Sequence, residues 1–146
     1  LIYNLNFNDI KKTFLINSFS NILFTKYLIY KMIKDNYGRF IFFNSTRATR
    51  GDIGISLYST SKSILKPLSK CIAKEVGRFN ITSNVISLGY FDSPLLNNIN
   101  KKIKNKLLEQ IPSKKIGKVK NISNMIKTII KSDYVNAGEI KIDGGL

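Results

Sequence analysis

The feature that most constrains this chain is the apolar run Phe40-Ile41-Phe42-Phe43, which stops abruptly in the polar segment Asn44-Ser45-Thr46-Arg47 and leads, past a turn at 52–54, into a helical pattern beginning near Leu57. Consecutive large apolar residues bounded by turn formers predict a strand buried on both faces, the habit of parallel sheets covered by helices. In such sheets ligands collect where the strands end. On the following helix Tyr58 and Lys62 stand one turn apart on the same face, which sets the ammonium beside the phenol. A neighbouring cation favours the phenolate, and this suits Tyr58 to give or take a proton. Ser45, on the loop leaving the strand, is placed to hydrogen-bond the same substrate oxygen as charge develops there. Interconversion of a carbonyl and an alcohol is the chemistry these three residues suit.

Composition closes off the main competitors. The 146 residues include no histidine, which excludes serine–histidine hydrolases, histidine-ligated metal sites and histidine proton shuttles. One cysteine, Cys71, allows neither an intrachain disulfide nor a cysteine metal cluster, so no metal site is expected. A hydrophobic fraction of 43% is that of a folded domain rather than a disordered chain. The net charge of +15 raises the question of nucleic acid. However, the lysines are scattered along every helix, and the densest group (Lys101, Lys102, Lys104, Lys106, Lys114, Lys115, Lys118, Lys120) reads as a solvated face. No nucleic-acid partner is expected. Nor is a membrane, since no apolar stretch approaches the roughly 20 residues of a span and no signal-peptide layout is present; a soluble cytoplasmic chain is expected.

In chain order, Phe14, Leu15, Phe19, Ile22, Leu23, Tyr27, Tyr30 and Ile33 recur at helical spacing and predict one helix over 9–36, about 40 Å long if unbroken and closed by Gly38. A strand over 39–44 follows, then a helix over 57–76 with Leu57, Leu65, Leu68, Cys71, Ile72 and Val76 as its apolar stripe and Cys71 as a small core residue. Pro67 inside that helix costs about 3 kcal/mol unless a kink absorbs it. Residues 81–87 predict a second strand, 94–111 a lysine-rich helical flap ended by Pro112, and 121–130 a helix with Ile122, Met125, Ile126, Ile129 and Ile130 inward. A third strand is predicted over 139–142.

Taken together, Ser45, Tyr58 and Lys62 resemble the active-site signature of the short-chain dehydrogenase/reductase family, closest to its 3-oxoacyl-[acyl-carrier-protein] reductase branch. Nearly the whole chain shares in the resemblance. Asn17 falls where the family carries the asparagine of its catalytic tetrad. The run from Ile81 to Gly89 resembles the family's "ITVNxxxPG" strand, while Tyr134-Val135-Asn136-Ala137-Gly138 with Asp143-Gly144-Gly145 resembles its closing "YxTG…vdGG". A lone Y-x-x-x-K arises by chance in many helices; five ordered matches at matching spacing are far more specific.

The resemblance implies an α/β fold: the C-terminal part of a Rossmann-type doubly wound parallel sheet, about three strands with flanking helices and the N-terminal strands absent, in a single partial domain over 1–146. It implies NAD or NADP as cofactor and a small-molecule carbonyl or hydroxyl substrate, with an acyl-carrier-protein-bound one as an option, in which case the lysine cluster offers an acidic carrier a docking face. Tyr58 would exchange the proton, Ser45 would position the oxygen, Lys62 would assist the tyrosine and bind ribose, and the Asn17 carbonyl would hold a relay water. Tyr58, Lys62, Gly89, the Phe91 backbone and Ser93 would contact the cofactor. Two departures loosen the loop after the second strand: Leu88 replaces a proline, and Ser93 replaces a threonine while keeping its hydroxyl. The helices over 9–36 and 57–76 imply a homo-oligomer, and an unflanked strand over 39–44 implies poor solubility or dimerisation. The sequence holds no glycine-rich turn of the kind that grips a dinucleotide pyrophosphate. Two readings stay open: the catalytic half of an NAD(P)-dependent oxidoreductase, or an inactive or split-gene remnant that keeps only the fold and the oligomer interface.

Overall fold

The computed structural model describes residues 1–146, the side chains at 95 and 97 excepted. The Asn6 side chain caps the first helix by accepting the Asp9 N–H at 2.9 Å. Helix α1 (Phe7–Phe14) runs into α2 (Ser20–Asp35) through a π turn, Leu15–Phe19. The single helix expected over 9–36 is therefore two α segments joined by a wider turn, the form a helix takes when one residue is inserted into its ladder. Asn36, at φ 49°, is the left-handed residue that ends α2; the role expected of Gly38 falls to it. Gly38 instead opens the first strand, where a Cβ would lie 2.7 Å from Met32 Sδ.

Strands β1 (Gly38–Ser45), β2 (Ile81–Leu88) and β3 (Glu139–Ile142) form one parallel sheet in that order. Ser45 lies opposite Leu88, and Leu88 opposite Ile142, so the three carboxyl ends finish level at one edge. Parallel neighbours need crossovers, and the chain supplies two. The first holds α3 (Arg47–Arg50), α4 (Ser56–Ser63) and α5 (Leu65–Val76); the second holds α6 (Pro94–Asn97), α7 (Lys101–Gln110) and α8 (Val119–Lys131). The flap expected over 94–111 is thus two helices, and α3 is a short turn the periodicity does not reveal.

The helix expected over 57–76 divides at Ile64, which removes the anomaly of Pro67. Its ring stands at the third position of α5, where a backbone N–H has no intrahelical partner to lose. Leu65, Ile72 and Val76 of α5 pack with Phe40 and Phe42 of β1 and with Ile81 and Val85 of β2 into the core, and Ile29, Met32 and Ile33 of α2 close over it. Each such side chain contributes roughly 1.5–3 kcal/mol of transfer free energy. Cys71 is not among them: it is exposed, and Ala73 is buried instead. Ile130, expected inward, is 42% exposed, while its carbonyl accepts Arg39 Nε at 3.3 Å. β2 is buried from Ile81 through Ser87 despite four polar residues. Three of these have partners: Ser83 Oγ pairs with Ser69 Oγ at 2.9 Å, Asn84 donates to the Val135 carbonyl at 2.7 Å, and Ser87 donates to Glu139 at 2.6 Å. No helix among the described residues is long and apolar enough to cross a membrane.

Candidate active site

A cavity of about 720 Å³ opens at the carboxyl edge of the sheet. β1 delivers Phe43, Asn44 and Ser45 to it, α4 delivers Tyr58 and Lys62, and the loop after β2 delivers Gly89, Phe91 and Ser93. Ile99, Ile103 and Leu107, from α7 and the turn before it, give the opposite wall an apolar surface. Six of the seven residues predicted from sequence to form the site therefore meet around one space. The seventh, Asn17, lies outside the lining.

Lys62 reaches back to β1, where its ammonium donates to the Phe43 carbonyl at 3.0 Å. Burial holds its pKa below the usual lysine value. This anchor fixes α4 against the strand end and leaves Tyr58, one turn earlier, 37% exposed at the cavity. Ser45 Oγ accepts the Arg47 N–H at 3.3 Å, a local turn that still leaves its own O–H free to donate. Arg47 also lines the cavity but is tied to Asp52 at 3.2 Å.

Asn17 sits in the π turn, and its Nδ2 donates to Ser61 Oγ at 3.0 Å. Ser61 Oγ in turn donates to the Tyr58 carbonyl at 2.8 Å, and Ser18 Oγ donates to the Ser61 carbonyl at 2.7 Å. The asparagine thus braces α4 from behind. Its own carbonyl accepts Asn21 Nδ2 at 2.9 Å.

The loop residues each have a structural reason as well as a place in the lining. At Gly89 a Cβ would fall 2.7 Å from Asp143 Cα, so only glycine lets the ends of β2 and β3 come this close. Ser93 Oγ caps α6 by accepting the Leu96 N–H at 3.3 Å. Phe91 bridges Gly117 in parallel: Gly117 N–H donates to the Tyr90 carbonyl and Asp92 N–H to the Gly117 carbonyl, both at 2.9 Å. That pattern leaves Phe91's own N–H and C=O out of the bridge, a donor and an acceptor side by side at the cavity.

Sequence reasoning missed Asn44. It is 4% exposed, lines the cavity, and neither Nδ2 nor Oδ1 has a hydrogen-bond partner among the described residues. The only signal was a polar residue closing an aromatic strand.

A parallel sheet with helical crossovers and a cavity at its carboxyl edge, with a hydroxyl, a phenol and an amine on the walls, define a Rossmann-type α/β architecture. Comparison with known proteins carries this to a family. The family model described as "Enoyl-(Acyl carrier protein) reductase" matches residues 2–146. The chain belongs to the short-chain dehydrogenase/reductase family.

Among curated relatives it is 31% identical over 148 residues to a 3-oxoacyl-[acyl-carrier-protein] reductase of Buchnera aphidicola subsp. Baizongia pistaciae, matching 100% of this chain and 60% of that protein. With the corresponding reductase of Buchnera aphidicola subsp. Schizaphis graminum it shares 35% over 133 residues, 90% of this chain and 54% of that one. A gluconate 5-dehydrogenase from Burkholderia cenocepacia, solved with NADP and tartrate, superposes with a TM-score of 0.92 over 99% of this chain and 58% of that one; at 21% identity it shows the shared fold. The chain spans about 60% of the length of such relatives.

Proposed function

We propose that this chain carries the catalytic part of an NAD(P)-dependent oxidoreductase that interconverts a carbonyl and an alcohol, with a 3-oxoacyl group as its substrate class. The observation that carries this reading is the convergence of Ser45, Tyr58 and Lys62 on one cavity at the sheet's carboxyl edge. Ser45 donates a hydrogen bond to the substrate oxygen and holds it as charge develops. Tyr58 exchanges the proton with that same oxygen. Lys62, fixed by the Phe43 carbonyl, supplies a cation to the cavity that Tyr58 also lines. Asn17, acting through Ser61, is a positioning residue that holds α4 in place.

The residues present suit the nicotinamide end of a dinucleotide. The N–H and C=O of Phe91 that the Gly117 bridge leaves unused would suit a primary carboxamide, Tyr58 and Lys62 would hold the ribose, and Gly89 and Ser93 would complete the wall. Bound there, the nicotinamide supplies the hydride. The apolar wall from Ile99 to Leu107 suits an acyl chain, which favours the substrate named in the Buchnera relatives over a polyol. An acyl-carrier-protein-bound substrate would find the exposed lysines of α7 beside that wall. The chain further associates with a second copy through the exposed apolar face of α2 and operates as a soluble cytoplasmic protein.

The rival reading is an inactive remnant that keeps only the fold and the oligomer interface. One experiment separates the two. Joined to the dinucleotide-binding half of a Buchnera relative, the chain is expected to oxidise NAD(P)H with a 3-oxoacyl thioester, and Tyr58→Phe is expected to cut turnover at least 100-fold. Turnover unchanged by Tyr58→Phe overturns the role of Tyr58, and no turnover with a correctly folded fusion favours the remnant.

A further inference from the structure

We infer that Asn44 is a ligand-positioning residue of this cavity, and that its amide turns onto a group of the bound ligand that both donates and accepts hydrogen bonds, a hydroxyl or a primary amide. The inference rests on the reading of the cavity as a nicotinamide and substrate site, and it adds a contact that this reading does not contain.

The argument starts from cost. A primary amide carries two donors and an acceptor, and leaving it buried without a partner is among the more expensive things a fold can do. Elsewhere the chain avoids it: Asn17 donates to Ser61, Asn84 bonds Val135 and Gly138, and Asn136 accepts the Ser83 N–H. Asn44 alone among the asparagines has a buried amide in which neither atom has a partner among the described residues. Its position is as telling as its state. The preceding residue provides the carbonyl that anchors Lys62, the following residue is Ser45, and both flanking residues line the same cavity. An apolar side chain would continue the Phe40 and Phe42 stripe of β1 at no such cost. A neutral amide placed there matches a neutral partner that can serve its N–H and its C=O together, rather than a carboxylate or a phosphate.

Two parts of a ternary complex offer such a group: the nicotinamide nucleoside, through its ribose hydroxyls and carboxamide, and the alcohol form of the substrate. Binding to the chain is measured with two probes, reduced nicotinamide mononucleotide and the 3-hydroxybutyryl thioester of N-acetylcysteamine, for the parent, Asn44→Leu and Asn44→Ser. Asn44→Leu keeps the shape and removes the amide. It is expected to raise the midpoint of thermal unfolding while weakening one probe about tenfold, and Asn44→Ser, which restores a donor and acceptor, is expected to recover most of that loss. If Asn44→Leu does not fold, Asn44→Ala takes its place in the same comparison. A loss confined to the mononucleotide assigns the contact to the cofactor, and one confined to the thioester assigns it to the substrate. Parent and variants binding both probes equally would overturn the inference and leave the functional reading standing. A parent chain that binds neither probe overturns both.

Discussion

Helices α5 and α2 read alike in sequence, each with apolar residues at helical spacing, yet the structure treats them oppositely. α5 buries Leu65, Ser69, Ile72, Ala73 and Val76 against the sheet. α2 buries only Thr25 and leaves Ile22, Leu23, Phe24, Tyr27, Leu28 and Tyr30 exposed. Periodicity tells where a helix has an apolar stripe; it does not tell whether the surface that covers the stripe belongs to the same chain. For α5 the cover is β1 and β2. For α2 the described residues leave most of the stripe uncovered, an apolar patch of the kind that marks interaction surfaces.

The contrast can be broken at the α5 end first. Leu65 is 1% exposed, so Leu65→Ala is expected to cost about 3 kcal/mol, read as a shift in urea midpoint at constant slope. A polar tie gives a smaller effect. Lys66 of α5 bonds Glu139 of β3 at 2.7 Å, and Ser87 donates to the same carboxylate. Burial alone would raise the Glu139 pKa, but the Lys66 and Ser87 bonds outweigh it and hold it below the usual value. A depressed carboxylate adds stability at pH values above its unfolded pKa, and that stability is lost as pH falls through the folded one. Glu139→Gln is therefore expected to cost about 1 kcal/mol at pH 7, and thermal melts of parent and variant should converge in acid below pH ~4.5. The α2 end should respond least in stability and most in assembly. Replacing Phe24 and Tyr27 with serine is expected to change unfolding free energy by less than about 0.5 kcal/mol per site while moving sedimentation toward a lighter species. A parent chain that already sediments as a monomer would show that α2 needs no partner.

The same contrast explains what the sequence revealed. Strand β1 was legible because Phe40 to Phe43 is a short apolar run bounded by turn formers, and much of the cavity lining was legible because Ser45 falls at that strand's end and Tyr58 and Lys62 stand one turn apart on the helix that follows. Cys71 was misplaced because it follows Leu68 at i+3 and was joined to the stripe through it. At about 100° per residue it lies roughly 120° from the line through Leu65, Ser69, Ile72 and Val76, where Ser69 stands as a buried polar member. Pro67 looked costly only because nothing local marks the break at Ile64. Asn44 escaped notice because its significance is a missing partner, and partners come from tertiary structure.

The π turn at Leu15–Phe19 sets the phase between two halves of one long rod. Ahead of it Ile10 and Phe14 lie over a small cavity shared with α4, and beyond it Ile29, Met32 and Ile33 rest on the sheet. Winding the same residues into an unbroken α ladder, with none removed, would add about 100° of rotation and swing one half relative to the other. The rod would keep its helicity but could seat only one end at a time, so a single insertion in this stretch should disturb the fold more than a single deletion, which closes the wide turn and leaves the phase unchanged.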